Sequence, residues 1–287
     1  MPFIKSLAPA IFVFLWSTGF IGSKYGLVYA EPYTLLAIRF LLTLVVLAFL
    51  LRHFRPALPE NWTQRGHLML SGVLLHGLYL GGVFSAIKGG MTAGMTALIV
   101  GLQPVFTTLL AQWWLKERVG FLHWLGVALG VTGIYVVLGA GSSFEHGGTA
   151  ALIAAALALL GITLGTLYQK RFCTQHELLT IAWFQYMPVV ILFALGSLLF
   201  ETRSIVWNAQ FVLALLWLTF ALSIGAILLL SYLIKHGEAS KVTSLFYLVP
   251  PVTAIEAYVL FDEPLGGLKI AGMALVAGGV YLVMRRK

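Results

Sequence analysis

Charged residues and cysteines are scarce in this sequence of 287 residues. Asp, Glu, Lys and Arg together make up 10% of the chain, whereas soluble domains contain about 25%, and 60% of the residues are apolar. No soluble fold of this size could bury so much apolar surface, which predicts that lipid covers much of the molecule. The single cysteine, Cys173, excludes an intramolecular disulfide.

Motifs of enzymes and nucleotide-binding proteins are also missing. The sequence contains no HExxH, P-loop, CxxC or nucleophile-elbow pattern. We therefore expect no catalytic residue, no metal and no cofactor, and any driving energy would come from an ion gradient rather than from ATP. The net charge of +8 does not indicate nucleic-acid binding, because the basic residues lie in short loops between apolar runs.

The apolar runs are about 18–24 residues long, which is the length of a membrane-spanning helix, and they lack the polar alternation of barrel strands. Glycines at the spacing of Gly126, Gly130 and Gly133 predict close helix packing. The predicted fold class is an all-α polytopic membrane protein with ten transmembrane helices, over residues 7–25, 33–51, 68–87, 92–115, 121–139, 149–171, 178–200, 210–234, 240–261 and 266–284.

The distribution of basic residues predicts the orientation in the membrane. If the N-terminus is cytoplasmic, most of the 18 basic residues fall in cytoplasmic segments, including the C-terminal Arg285, Arg286 and Lys287. We therefore expect both termini in the cytoplasm. We interpret the first apolar run as a retained span rather than as a signal peptide.

The chain contains one five-helix pattern twice, at an offset of 146 residues. Five is an odd number of spans, so the second copy is predicted to be inverted relative to the first. The expected domains are a first repeat over 1–139, a periplasmic joint over 140–148 and a second repeat over 149–287. Inverted repeats that enclose a site are typical of alternating-access transporters. The matched pairs include Gly19 and Gly165, Lys24 and Lys170, Ser85 and Ser231, Pro104 and Pro250, Glu117 and Glu263, Gly126 and Gly272, and Gly133 and Gly279.

Motifs in both halves carry a family resemblance. In the first half they are FLWSTGFIGSKYGL at 14–27, PYTLLAIRF at 32–40, and the stretches 92–118 and 126–135; in the second half they are LVPP at 248–251 and FDEP at 261–264. In this order they resemble the EamA-like family of the drug/metabolite transporter superfamily over essentially the whole chain. The resemblance implies a ten-helix transporter of small metabolites, such as amino acids or sugars, in the bacterial inner membrane. One departure is Ser17, which follows Trp16 where the family often has glycine.

Charged side chains inside apolar helices are energetically expensive, so they indicate interior or functional positions. Lys24, Arg39 and Glu256 are predicted at similar depth in the outer half of the membrane. We assign them to coupling or gating, which includes binding of a substrate charge. The alternatives are a static ion pair between helices, or basic side chains that extend to the lipid headgroups.

A second group of side chains is predicted near the middle of the membrane and is assigned to substrate binding. Pro104, Pro250 and Pro251 interrupt the hydrogen bonding of their helices, and such breaks are tolerated where they line a cavity. Because the two breaks are equivalent in the repeat, they predict a central site. The alternative for these side chains is packing within the bundle. The group comprises Trp16, Ser17, His76, Tyr79, Gln103, Ser223 and Tyr247.

These features favour a secondary transporter of a small metabolite, with export as the favoured direction. Coupling to protons, for which Glu256 and His76 are candidates, and uncoupled transport are both retained as hypotheses. The alternative function is a membrane-embedded enzyme that acts on a lipid-soluble substrate, and a pore ranks third because inverted halves do not suit a simple ring. The expected partners are the small-molecule substrate and the lipid bilayer, without nucleic acid, for a chain that is a monomer or a homodimer.

Overall fold

The computed structural model describes residues 2–91, 93–139, 148–261 and 266–284, and within these ranges the chain is mostly helical. Residues 140–147 of the predicted joint lie outside the described residues. The helices are labelled α1 to α10, with consecutive helical segments of different type treated as one helix. They are α1 (Pro2–Gly26), α2 (Pro32–Phe54), α3 (Trp62–Lys88), α4 (Ala93–Gly101 and Gln103–Trp114), α5 (Phe121–Gly139), α6 (Thr149–Phe172), α7 (Leu178–Phe200), α8 (Ala209–His236), α9 (Ala239–Ser244, Leu245–Leu248 and Val249–Phe261) and α10 (Gly267–Met284).

Within the described ranges, seven helices are long and apolar enough to cross a membrane, namely α1, α2, α3, α6, α7, α8 and α9. Helices α5 and α10 contain shorter apolar stretches, Phe121–Val136 and Ile270–Val283. Large apolar side chains project from the outer faces of the bundle. Phe49, Phe200 and Trp113, for example, are 69%, 77% and 82% exposed. A surface of this kind suits lipid rather than water.

Helix α3 begins several residues before the apolar pattern, at Trp62 rather than at residue 68. The side chain of Asn61 caps it, because its Oδ1 accepts a hydrogen bond from the backbone N of Gln64 at 2.9 Å. The side chain of Asn208 caps α8 in the same way, with the backbone N of Phe211 at 2.8 Å. The polar first turn of α3 is therefore helical although it is not apolar enough to be part of a predicted span.

Helices α3 and α8 each contain a π-helical stretch, Val73–Leu78 and Leu218–Ala226. The two stretches overlap when the chain is shifted by the repeat offset. π-Helical turns are rare and frequently occur at functional sites. The apolar pattern did not predict them, because both stretches are as apolar as the helices around them.

Helices α4 and α9 are interrupted next to prolines, as the sequence predicts. Helix α4 breaks at Leu102, two residues before Pro104, and α9 contains a 3-10 turn, Leu245–Leu248, just before Pro250. A Cβ atom built on Gly101 would lie 3.5 Å from Cγ of Pro250. The two breaks are therefore in contact with each other inside the bundle.

Helices α5 and α10 pack against each other in opposite directions. A Cβ atom built on Gly126 would lie 2.6 Å from the carbonyl oxygen of Gly279, and one built on Gly133 would lie 2.7 Å from that of Gly272. The residue numbers rise along one helix as they fall along the other, so the pair is antiparallel. Only glycine allows such a close approach of the two backbones.

Helices α2 and α7 also run antiparallel, and they are tied together at both ends. At one end the Glu31 carboxylate accepts hydrogen bonds from the backbone N and the hydroxyl of Thr202, at 2.7 and 2.8 Å. At the other end Glu177 accepts a hydrogen bond from the backbone N of Ala57 at 3.1 Å. The hydrogen bond from the Thr202 hydroxyl lowers the pKa of Glu31, because it stabilises the ionised carboxylate.

The other helices connect these two pairs. Helix α3 packs on α6 as α8 packs on α1, and α4 contacts α6 as α9 contacts α1. Exchanging each helix for its counterpart in the other repeat leaves these contacts unchanged. A contiguous apolar core joins the pairs and fills most of the interior between them.

Candidate functional site

A small cavity lies in the interior between α1, α2, α3 and α8. Its volume is about 30 Å³, which holds roughly one or two water molecules. Ligand pockets usually have volumes of roughly 300–1,000 Å³, so this cavity is much smaller than a typical ligand pocket. The lining comprises Trp16 and Phe20 from α1, Arg39 from α2, Tyr79, Val83 and Phe84 from α3, and Leu222 and Ile227 from α8.

Arg39 provides the positive charge of this cavity and is only 3% exposed. Its Nε donates a hydrogen bond at 2.8 Å to the hydroxyl of Ser223, in the π-helical stretch of α8. The hydroxyl of Tyr186 donates to the backbone carbonyl of Ser223 at 2.6 Å. In the part of the chain that the structure describes, the one ion pair joins Lys241 and Glu238, at the end of the bundle. Arg39 is therefore a buried cation that makes no ion pair with a described carboxylate.

Trp16 and Tyr79 form an aromatic wall of the cavity. Their rings stack with centroids 6.0 Å apart and planes 14° apart, and Nε1 of Trp16 donates a hydrogen bond to the hydroxyl of Tyr79 at 3.2 Å. Phe12 and Phe246 pack against the other faces and edges of Trp16. This cluster fixes the indole ring, so the wall of the cavity is preformed.

His76 lies in a separate hydrogen-bonded network and does not line the cavity. Its Nε2 is 3.4 Å from Oε1 of Gln185, and its ring stacks on Tyr186 with centroids 4.5 Å apart. The amide nitrogen of Gln185 donates to the hydroxyl of Ser71 at 3.0 Å and to Oε1 of Gln169 at 2.9 Å. The predicted group did not include Gln169 or Tyr186. Both are polar side chains in apolar helices, so the argument that polar groups in lipid mark interior positions would have identified them too.

Gln103 and Tyr247 are fully buried beside the broken helices but do not line the cavity. The amide nitrogen of Gln103 donates to the hydroxyl of Thr166 on α6 at 3.2 Å. The ring of Tyr247 packs on Gly130 of α5, where an added Cβ would lie 2.7 Å away from it. Oε1 of Gln103 and the hydroxyl of Tyr247 have no hydrogen-bond partner among the described residues.

Glu256 lies in the seam between α9 and α1. Its Oε1 is 2.6 Å from the hydroxyl oxygen of Ser17, and the same hydroxyl is 2.8 Å from the carbonyl oxygen of Phe14. Ser17 has one proton to donate, so it can satisfy only one of these two acceptors. A protonated Glu256 would donate to Ser17 and leave Ser17 free to donate to Phe14. The distances therefore allow a neutral carboxyl group that donates to Ser17 as well as an ionised one that accepts from it.

The three charged residues predicted at similar depth lie in different surroundings. Arg39 lines the cavity, Glu256 contacts α1, and Lys24 lies exposed in the last turn of α1. The static ion pair between Arg39 and Glu256 that we considered is not formed, because each side chain bonds to a serine on a different helix. Similar depth along the helices did not imply that the two side chains share a partner, since one bonds to α8 and the other to α1.

A larger cavity of about 680 Å³ opens at the end of the bundle where α6 and α8 finish and α9 begins. The Glu117 carboxylate accepts hydrogen bonds from the backbone N of Ala239 and from the N and hydroxyl of Ser240, between 2.6 and 3.2 Å. The Nζ of Lys170 donates to the carbonyl oxygen of Gly237 at 2.6 Å. We did not predict this cavity. No group of three or more potential metal ligands occurs within the described ranges.

Comparison with known proteins identifies the family. The EamA-like transporter family matches residues 6–139 and 149–285. A probable amino-acid metabolite efflux pump of Salmonella typhimurium is 28% identical over 94% of this chain and 91% of the relative. The uncharacterized transporter YvbV of Bacillus subtilis is 28% identical over 97% of this chain and 90% of the relative.

The fold is also similar to that of a solved structure. One crystal structure superimposes with a TM-score of 0.79, covers 97% of this chain and 95% of its own, and is 24% identical in sequence. The likeness at this identity concerns the fold alone. The family match extends over both halves of the chain, and the long apolar helices agree with it. The chain therefore belongs to the EamA-like transporter family and is a multi-pass membrane transporter rather than an enzyme.

Proposed function

We propose that the protein is a secondary transporter that exports a small metabolite, an amino acid or a similar polar or amphipathic compound, across the bacterial inner membrane. Relatives in Salmonella typhimurium and Escherichia coli carry the name probable amino-acid metabolite efflux pump, which supports this substrate class and this direction. The observation that carries the proposal is the antiparallel packing of helices that are equivalent in the sequence repeat.

This packing supports two inverted five-helix repeats. Helices α5 and α10 occupy equivalent places in the two halves and run in opposite directions, and so do α2 and α7. Two copies of one fold whose equivalent helices are antiparallel are related by an axis in the membrane plane. The proposal therefore includes ten crossings, with both termini in the cytoplasm.

The cavities support alternating access. The cavity beside Arg39 is too small for a metabolite, whereas the cavity beside Glu117 and Lys170 is large and open at one end of the bundle. In this mechanism the first cavity expands toward one face at a time. The hydrogen bonds of Glu117 to the start of α9 hold one face closed, and they break when that face opens.

Proton coupling through Glu256 is part of the proposal. The contact with Ser17 allows a neutral carboxyl group, and Oε2 has no partner among the described residues. Movement of α9 against α1 would expose the carboxyl group to water and release its proton. An ionised carboxylate inside the membrane is expensive, so protonation and helix position depend on each other.

Counterflow in proteoliposomes tests the transport proposal. Vesicles with purified protein are loaded with one unlabelled amino acid at a time, and uptake of the same labelled amino acid is measured from a low external concentration. We expect at least one of the twenty standard amino acids to give uptake that saturates and that depends on the internal load. Uptake of all of them that neither saturates nor responds to the internal load would contradict the proposal, as would chemical conversion of the label.

A further inference from the structure

We infer that Arg39 binds the carboxylate group of the transported substrate, so that the protein selects small molecules with a carboxylate and an apolar body. The inference rests on the proposed transport function and specifies its substrate class. It starts from the charge in the small interior cavity. The guanidinium stays protonated at any physiological pH and is almost completely buried.

The hydrogen-bonding capacity of Arg39 is mostly unused. Among the described residues its guanidinium makes one hydrogen bond, from Nε to Ser223, and the side chain lines the cavity. A planar fork with parallel N–H groups matches the two oxygens of a carboxylate. An anion in the cavity would therefore supply both the missing charge and the missing acceptors.

The residue equivalent to Arg39 in the second repeat shows which side chain is sufficient for helix packing at this position. Gln185 corresponds to Arg39 at the repeat offset, is also fully buried, and contacts the π-helical stretch of α3 as Arg39 contacts that of α8. Gln185 is neutral, and its amide bonds to Ser71, Gln169 and His76. A neutral amide thus suffices to hold the helices together at Gln185. Helix packing at the equivalent position of the first repeat therefore does not require the positive charge of Arg39.

The rest of the cavity fits the apolar part of such a substrate. Trp16 and Tyr79 provide an aromatic wall, and Leu222 and Ile227 provide an aliphatic one. The carboxylate would lie at Arg39 while the apolar body lies between these walls. Ser223, which accepts from Nε, belongs to the π-helical stretch of α8, a kind of helical turn that frequently occurs at functional sites.

The test measures binding to the purified protein with matched sets of ligands. One set is L-leucine, 4-methylpentanoate and 3-methylbutylamine, and the other is L-phenylalanine, 3-phenylpropanoate and 2-phenylethylamine. Each set keeps the apolar body and removes either the amine or the carboxylate. We expect the amino acids and the carboxylic acids of at least one set to bind, with the amines at least tenfold weaker.

Three variants assign the selectivity to Arg39. Arg39→Gln should weaken binding of the acids about 10- to 100-fold and leave the amines unchanged, because the charge-assisted hydrogen bonds are lost. Arg39→Lys should bind the acids with an affinity between those of Arg39→Gln and wild type, since lysine keeps the positive charge but lacks the planar guanidinium. Arg52→Gln, a matched loss of charge at the exposed end of the same helix, should bind like wild type.

The outcomes separate this inference from the transport proposal. Amines that bind wild type as tightly as the acids would overturn the inference, and so would acids that bind folded Arg39→Gln with wild-type affinity. Failure of all six ligands to bind would also overturn it. If Arg39→Gln does not fold, Arg39→Lys and the wild-type comparison decide. If one of the three overturning results is found and counterflow persists, the transport proposal stays in place and Arg39 has no role in substrate recognition.

Discussion

The surroundings of Glu256 are the most relevant of any residue to the proposed coupling of transport to protons. Among the described residues Glu256 makes one polar contact, with Ser17, in a seam between two helices that do not belong to the same repeat. The Ser17 hydroxyl can donate to an ionised Glu256 or accept from a protonated one, so the contact is compatible with a change of protonation. Glutamine has the same shape, can donate to Ser17 through its amide, and cannot exchange a proton.

We therefore predict that Glu256→Gln folds and retains counterflow but loses accumulation driven by a pH gradient. The measurement is uptake into proteoliposomes with and without an imposed gradient, beside Glu60→Gln as an exposed control. Accumulation by the variant should fall to the level reached without a gradient. Wild-type accumulation by Glu256→Gln would remove this residue from coupling, and loss of folded protein would make its role structural.

Sequence reasoning at the residue scale identified which side chains are buried, but not which of them meet. The cost of polar groups in lipid pointed to Arg39, Trp16, Tyr79 and Ser223, and the structure brings these four together. The same argument predicted similar depth for Glu256 and Arg39, and the structure has each of them hydrogen-bonded to a serine on a different helix. Depth follows from counting residues along a helix, whereas contact depends on the rotation of each helix about its axis, which the apolar pattern leaves undetermined when all faces are apolar.

At the scale of elements, the α5–α10 pair depends on glycines that cannot be replaced. We predict that Gly133→Ala destabilises the protein by about 1–3 kcal/mol, because the added methyl would lie 2.7 Å from the carbonyl oxygen of Gly272 and from Val276. The measurement is the melting temperature in detergent. Gly278→Ala is the matched control on α10, since nothing lies within 4 Å of the added atom there.

The control should be neutral or slightly stabilising, because alanine is a better helix former than glycine where space allows. Equal melting temperatures for Gly133→Ala and Gly278→Ala would contradict the close antiparallel packing of α5 and α10. The glycine spacing predicted close packing of these helices from the sequence. The partner helix followed only from the structure, since small-residue spacing marks a face without saying what covers it.

The helix breaks were predictable only in part. Pro104 and Pro250 mark the interruptions of α4 and α9 because proline removes a backbone donor. No residue type predicts the π-helical stretches of α3 and α8 from the sequence. We attribute their geometry to packing against neighbouring helices. Gly72, next to the stretch in α3, shows how closely α7 packs there, since an added Cβ would overlap the backbone of Gln185.

At the scale of the whole molecule, the sequence predicted a central site between the proline breaks, and the structure has its interior cavity elsewhere. The breaks contact each other directly, while the cavity lies between α1, α2, α3 and α8. In the proposed alternating-access mechanism a closed conformation accounts for this difference, because helices that separate in one state of a transporter pack together in another. A single sequence encodes all of these states and does not mark which one a structure captures.

The orientation of the two halves is the central claim, and repeat-equivalent cysteines test it most directly. Leu58 lies in the loop after α2 and Ser204 in the loop after α7, 146 residues further along, and both are exposed. Leu58→Cys and Ser204→Cys are made separately in a Cys173→Ser background and treated with a membrane-impermeant thiol reagent in intact cells. We predict that Ser204→Cys is labelled, whereas Leu58→Cys is labelled only after the inner membrane is opened. Labelling of both positions from the same side would contradict the inverted repeats and the alternating-access mechanism built on them.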